Sequence, residues 1–228
     1  RWTIPKRKQY LTYTNEGMPI GAFWGYKTDG LIQTQEQLNA VKRADFQPNA
    51  ELGDVLFVDT NGDGKLDSSD RCMIGNPIPD IIYGINMGMA WKGFDLNLQF
   101  GGTIGNQIFN AMRYYTYFPN DITNKDRALM NYWTPNNTNT DIPRLTATDV
   151  NDNDRFSDMY VENGTYFRLR NAQLGYTLPA SLTQRIKLQK VRFYVSGQNL
   201  FTISSYSGMD PEVGQSSSLS RGIDYGIY

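Results

Sequence analysis

The sequence predicts an all-β protein: antiparallel strands of a transmembrane β-barrel joined by long extracellular loops, one of them containing a short helix. Three observations predict it. Two stretches of alternating polarity flank a tight turn at Lys92-Gly93, each close to the ~9–11 residues a tilted strand needs to cross a bilayer. The composition suits strands and turns, with 15 Tyr, 11 Phe and 21 Gly in 228 residues. The connections also differ sharply in length, being short at Lys92-Gly93 and after Leu178 but long and polar elsewhere. Long structureless loops are unusual in a compact soluble domain, whereas outer-membrane barrels combine short turns on one side with long loops on the other.

In chain order, Gly53–Val58 reads as a strand and leads into an acidic turn at 59–70. The hairpin at 81–101 is the clearest signal. Tyr83, Ile85, Met87 and Met89 alternate with Gly84, Asn86 and Gly88, and after the turn Leu96 and Leu98 alternate with Asp95, Asn97 and Gln99. Tyr83, Ile85, Met87, Met89, Leu96 and Leu98 are the expected lipid-facing set. Residues 102–165 read as a long loop with a helix over Lys125–Trp133, capped by Asn124 and ended before Pro135. A second strand pair occupies 166–201. Its first strand carries Phe167 and Leu169 on one face and Ala172, Leu174, Tyr176 and Leu178 on the other, so a bulge, or an exit from the membrane, is expected near Arg170-Asn171. Pro179 ends that strand, and a short helical turn over Ala180–Leu188 precedes the next.

Several functions are excluded. With no histidine, the chain holds no Ser/His/Asp triad, Cys/His pair or His-ligated zinc. Cys72 stands alone and reads as structural. A net charge of −1 argues against a nucleic-acid partner. The carboxylates form no recognisable acid–base pair, and no enzyme is expected.

One motif carries chemistry. From Asp59 to Asp70 the sequence follows the twelve-residue EF-hand loop: oxygen side chains at Asp59, Asn61, Asp63 and Asp67, the turn glycine Gly64, the backbone carbonyl of Lys65, and Asp70 where a glutamate is usual. Its flanks are not helices, so a structural Ca²⁺ that staples a loop is the expectation, against an ion-free Asp/Gly turn. Tyr114, Tyr115, Tyr117 and Phe118 are weaker candidates, as a platform for stacking sugars; a loop core or an aromatic belt is the competing reading.

Several phrases together resemble the SusC/RagA family of TonB-linked outer-membrane transporters. They run in order from Gly25-Tyr26-Lys27-Thr28-Asp29-Gly30 through Gly53-Asp54-Val55 and the acidic turn to Ile74-Gly75-Asn76-Pro77. Phe167-Arg168-Leu169-Arg170-Asn171, Leu174-Gly-Tyr-Thr-Leu-Pro179, Gly197-Gln198-Asn199-Leu200-Phe201 and Tyr206-Ser-Gly-Met-Asp210-Pro211-Glu212 follow. The resemblance implies the C-terminal part of a large barrel, with the signal peptide, plug, TonB-interacting segment and last strand outside these residues. It also implies TonB, a SusD-like surface lipoprotein, outer-membrane lipid and an oligosaccharide or peptide substrate as partners, in a Gram-negative outer membrane. The alternative is a secreted, calcium-stabilised β-domain for glycan binding or adhesion.

Overall fold

The computed structural model describes residues 3–4, 9–117, 124–184 and 187–212. Phe118 and the chain beyond Glu212 lie outside them. The short strands that open the chain are β1 (Thr3–Ile4), β2 (Gln9–Tyr10), β3 (Thr12–Tyr13), β4 (Ala22–Gly25) and β5 (Thr28–Leu31). Helix α1 (Gln35–Arg43) follows, then β6 (Val55–Phe57) and β7 (Cys72–Gly75). The long pair β8 (Ile81–Trp91) and β9 (Phe94–Ile104) leads to β10 (Gln107–Phe109), α2 (Ala111–Thr116) and β11 (Val161–Asn163). The chain then forms β12 (Tyr166–Thr177), α3 (Ala180–Thr183) and β13 (Arg192–Ser204). These elements divide into two compact units.

One unit, Pro79–Asn106 with Asn163–Tyr206, is a four-stranded antiparallel sheet of order β13-β12-β9-β8. Lys92 and Gly93 take φ of +46° and +89°, and a two-residue turn with both central φ positive matches the twist of the strands it joins. Two of the strands run past the expected ends, β9 to Ile104 and β13 to Ser204. Helix α3 and a hydrogen bond from Leu178 N–H to Val191 O (2.9 Å) make the second short connection.

The bulge forms at Arg170. Leu169 pairs with Phe100 and Asn171 with Gln99, so Arg170 is the extra residue in the register with β9. Opposite it, β13 accommodates Asn199 and Leu200 between the pairs Asn171–Gln198 and Leu169–Phe201, with Asn199 at φ +51°. This corrects one expectation. Ala172, Leu174 and Tyr176 are not on the face opposite Phe167 and Leu169; the bulge absorbs the change of parity and returns all five to one face.

The other unit takes the described residues up to Ile78, Gln107–Glu162 and those from Ser207. The segments read as polar loops therefore carry a core of their own. Leu11, Ile74, Tyr114, Phe156 and Tyr160 form one cluster, and Tyr26, Phe46, Val55, Phe57 and Trp133 belong to a second. Helix α1, not anticipated, starts at a capping box in which Thr34 Oγ1 accepts Gln37 N–H and Gln37 Oε1 accepts Thr34 N–H. The helix expected over Lys125–Trp133 is instead a 3₁₀ stretch, Arg127–Asn131, capped by Asp126 rather than Asn124. Trp133 N–H donates to Ile142 O (2.9 Å) and its ring is buried, which draws the chain out of the helix at Tyr132.

Among the described residues, strand β6 pairs only with β5, and side chains satisfy its other edge. Val55 N–H donates to Asn153 Oδ1 (2.8 Å) and Phe57 N–H to Gln47 Oε1 (3.0 Å). Asp54, fully buried beside this edge, accepts from Arg144 Nε (2.6 Å) and Asn153 Nδ2 (3.1 Å). Buried amides here do the work of a missing strand.

Candidate functional site

The pairing of the four long strands sorts their side chains into two unlike faces. On one, successive rows read Ile85–Phe100–Leu169–Phe201, Met87–Leu98–Ala172–Gly197 and Met89–Leu96–Leu174–Val195. No charge interrupts these rows. The row nearest the turn is aromatic in every strand: Trp91, Phe94, Tyr176 and Phe193. Toward the far end, Tyr83, Phe100 and Phe201 surround Phe167, with ring centroids 6.4, 5.3 and 6.3 Å from it. Trp91 lies eight residues after Tyr83 along β8. At ~3.3 Å per residue and a tilt of ~40°, that is a band about 20 Å tall. The middle of this face is open, with Met87 50% and Val195 77% exposed. A soluble protein rarely leaves so continuous an apolar surface uncovered.

The opposite face is polar at its centre, with Ile82, Ala90, Tyr166 and Tyr194 toward its ends. Its central rows are Asn86–Gln99–Asn171–Gln198 and Gly88–Asn97–Gln173–Ser196. Nearer the turn, Arg192 of β13 reaches across β12 to Asp95 of β9, Nε to Oδ1 at 3.0 Å. Gly175 lies beneath this pair, where a Cβ would come within 2.6 Å of the Asp95 carboxylate. The two partners lie 97 residues apart in the chain, and no local pattern announces them.

All the expected lipid-facing residues occupy the apolar face: Tyr83, Ile85, Met87 and Met89 from β8, Leu96 and Leu98 from β9. Tyr83 also sends its hydroxyl to Tyr166 O (3.1 Å).

The acidic turn is tightly wound. Gly62 and Gly64 adopt φ of +77° and +76°. Asp59 accepts Gly62 N–H at Oδ1 (2.7 Å) and Gly64 N–H at Oδ2 (2.8 Å). Those bonds, Gly64's first, hold its carboxyl below the ordinary carboxylate range. Asp63 accepts Lys65 N–H (2.8 Å), and Asp67 accepts Ser69 N–H (2.7 Å). Asp70, fully buried, receives Thr60 N–H (3.1 Å) and Asp67 N–H (2.9 Å). The oxygen donors and the glycine turn suit a hard cation. The carboxylates are nonetheless turned onto backbone amides, and among the described residues no three acidic side chains converge on a point.

The tyrosine candidates are placed differently. Tyr114 is 3% exposed and packs edge-to-face on Tyr115 and Tyr160, at centroid distances of 5.1 and 5.0 Å. Its ring belongs to the core, because Leu11, Ile74 and Phe156 enclose it, and not to a surface platform. Tyr115 packs against the same cluster, and Tyr117 lies under the Arg113 guanidinium (5.2 Å). Burial raises the Tyr117 hydroxyl above its usual value. Burial likewise raises the thiol of Cys72, which packs against the same core.

Known proteins share this arrangement. The chain is 39% identical over 223 residues to TonB-dependent receptor P3 of Formosa agariphila, matching 93% of this chain and 21% of that protein. It is 30% identical over 169 residues to the TonB-dependent receptor SusC of Bacteroides thetaiotaomicron, matching 74% of this chain and 16% of that protein. Among solved structures, the RagAB peptide transporter superposes with a TM-score of 0.70 at 26% identity, over 93% of this chain and 22% of its own. No family model matches the sequence. Sequence and fold together define a stretch of barrel wall from a TonB-dependent receptor, a class of receptors and transporters and not of enzymes. The chain belongs to the SusC/RagA family of these receptors. It spans about one fifth of the length of the relatives it matches, and its four long strands do not close a barrel.

Proposed function

We propose that these residues build part of the wall and loops of an outer-membrane importer that takes up oligosaccharides or peptides, energised by TonB. The observation that carries this reading is the continuity of two faces, in register, across all four long strands. The apolar face, with Tyr83, Ile85, Met87, Met89, Leu96 and Leu98, meets lipid. The amide-rich face lines the interior, toward the plug. Strands β8 and β13 are the sheet's outer strands, and their unpaired backbone groups would join the rest of the barrel. A SusD-like lipoprotein caps the extracellular loops, and the similarity to SusC and RagAB supports that partner. Substrate enters between lid and barrel and passes inward when TonB moves the plug, with no covalent step.

The acidic turn is proposed as a Ca²⁺ loop on the extracellular side, where the cation would stiffen the link between β6 and β7. Asp59, Asn61, Asp63, Asp67, Asp70 and the Lys65 carbonyl are its donors. The support is the donor chemistry and the Gly64 turn. Calorimetric titration of the folded protein with millimolar Ca²⁺ tests it: heat with one-site stoichiometry is expected, and its absence removes the ion.

The importer reading is tested by fractionating native cells, extracting with detergent and identifying by mass what co-purifies. Recovery in the outer membrane with the remaining barrel sequence and a lipoprotein is the expected result. Recovery as a soluble single chain overturns it in favour of the secreted β-domain.

A further inference from the structure

At its two short connections the four-stranded sheet carries a charged patch that neither the apolar band nor the amide face explains. The Lys92-Gly93 turn and the connection from Leu178 to Val191 lie side by side, since Thr177 N–H donates to Gly93 O (2.7 Å) and Leu178 N–H to Val191 O (2.9 Å). The charge there is one-sided. In the sequence of Pro79–Asn106 and Asn163–Tyr206 the carboxylates are Asp80 and Asp95. Asp80 sits at the far end, where its N–H donates to Ile104 O (2.9 Å). Asp95 is held on the polar face by Arg192, Nε to Oδ1 at 3.0 Å. Lys92, Lys187 and Lys190, all exposed, are therefore surplus cations at this end.

Two further observations give this surplus its setting. Lys92 Nζ lies 4.7 Å from the centroid of the Trp91 ring, so its ammonium is on the apolar side of the sheet and not among the amides. Trp91 begins the aromatic row that continues through Phe94, Tyr176 and Phe193, and such rows mark headgroup depth in membrane barrels. The second connection is amphipathic as well. Leu182 and Leu188 are 51% and 48% exposed and stand on either side of Lys187 in the sequence. Exposed leucines among lysines suit a membrane interface, where the apolar part dips into acyl chains and the ammonium reaches back to phosphate.

We propose that this end of the sheet selects anionic phospholipid: Lys92, Lys187 and Lys190 bind the headgroup phosphates, while the aromatic row and the two leucines lie against the acyl chains. Each lysine near an anionic leaflet adds attraction within a Debye length. The carboxylate at this end is taken by Arg192, so nothing here favours the choline or ethanolamine nitrogen of a zwitterionic lipid. The proposal rests on the reading of the apolar face as lipid-facing, and goes beyond it from a generic hydrocarbon contact to a chosen headgroup.

The test uses the complete receptor in phosphatidylcholine bilayers, with a bimane fluorophore on Ser181→Cys, an exposed position in α3, and Cys72→Ser removing the chain's own thiol. Brominated phosphatidylglycerol or brominated phosphatidylcholine is added at the same share of the bilayer, and quenching of the bimane is read. The phosphatidylglycerol probe is expected to quench at least about twofold more strongly. The triple change Lys92→Gln, Lys187→Gln and Lys190→Gln should bring the two probes to parity. Arginine at the same three positions should keep the difference, and unchanged melting shows that both variants fold. Parity in the parent, or a preference that survives the triple glutamine change, overturns the proposal and leaves the wall in lipid. Absence of quenching by either probe overturns the lipid-facing wall along with it. Parity in the parent together with an acidic protein that co-purifies with it, and is lost from the glutamine variant, assigns the patch to a protein contact and likewise overturns the lipid proposal.

Discussion

Replacing Met87 with arginine places a charge at the middle of the apolar band. Along β8, Met87 is four residues from Tyr83 and four from Trp91, about 10 Å from each aromatic end after allowing for a strand tilt of ~40°. Its neighbours in register are Leu98 and then Ala172, so no carboxylate is within reach to pair with the new charge. An arginine on the lipid face costs ~2–4 kcal/mol at the bilayer midplane and ~0–1 near an interface. Met87→Arg should therefore destabilise by ~3 kcal/mol, and Trp91→Arg, at the turn end, should lose mainly its ring contacts. Asn86→Arg is the control, one residue away on the amide face. Guanidinium unfolding of the complete receptor in phospholipid bilayers, followed by tryptophan fluorescence, measures the differences. Equal cost for Met87→Arg and Asn86→Arg would refute the assignment of the two faces.

Four other outcomes follow from the loop unit. Gly53 has φ +85°, and a Cβ there would lie 2.2 Å from the Trp133 ring; Gly53→Ala should cost ~2–4 kcal/mol through strain and overpacking, read as a lower melting temperature with altered Trp133 emission. Arg144→Ala leaves the Asp54 carboxylate buried without its charge partner and should cost ~3–5 kcal/mol, whereas the double change with Asp54→Ala should recover part of it in a thermodynamic cycle. Asp59 has a depressed pKa, so its contribution is complete above pH ~4 and lost as pH falls through the lower folded value; proteolysis of the turn should stay slow at neutral pH and accelerate only in acid. Burial raises the Tyr160 hydroxyl well above its usual value, so stability should fall as pH rises above ~10, where only the unfolded chain gives up that proton; absorbance near 295 nm during alkaline unfolding checks it.

Much of the wall was legible because its signal is local. Alternation over β8 and β9 and the Lys92-Gly93 turn needed no knowledge of distant residues, and the break at Arg170 marked the bulge. The face on which the lower half of β12 emerges was not legible, since parity across a bulge depends on the partner strand. The loop unit was read as polar and irregular because its core is assembled from afar: Leu11, Ile74, Tyr114 and Phe156 have no common period. Its amide and carboxylate network hid for the same reason, with Asn153 serving Val55 across 98 residues. Helix α1 did carry a local sign, the Thr34–Gln37 capping box, but its polar sequence gives few apolar positions from which to extend it. In the acidic turn the sequence marks the donors and the glycine. It does not determine whether backbone amides or a cation receive them.

The bulge at Arg170 also decides which edits this wall survives. On β12 the apolar side chains sit at odd positions before the bulge and at even positions after it. Losing one residue elsewhere in the strand would exchange the faces of everything downstream, putting amides on the apolar face and leucine on the polar one. Losing Arg170 itself would leave both halves facing as they do, because β9 already runs without an extra residue there. The bulge thus works as an absorbed frameshift.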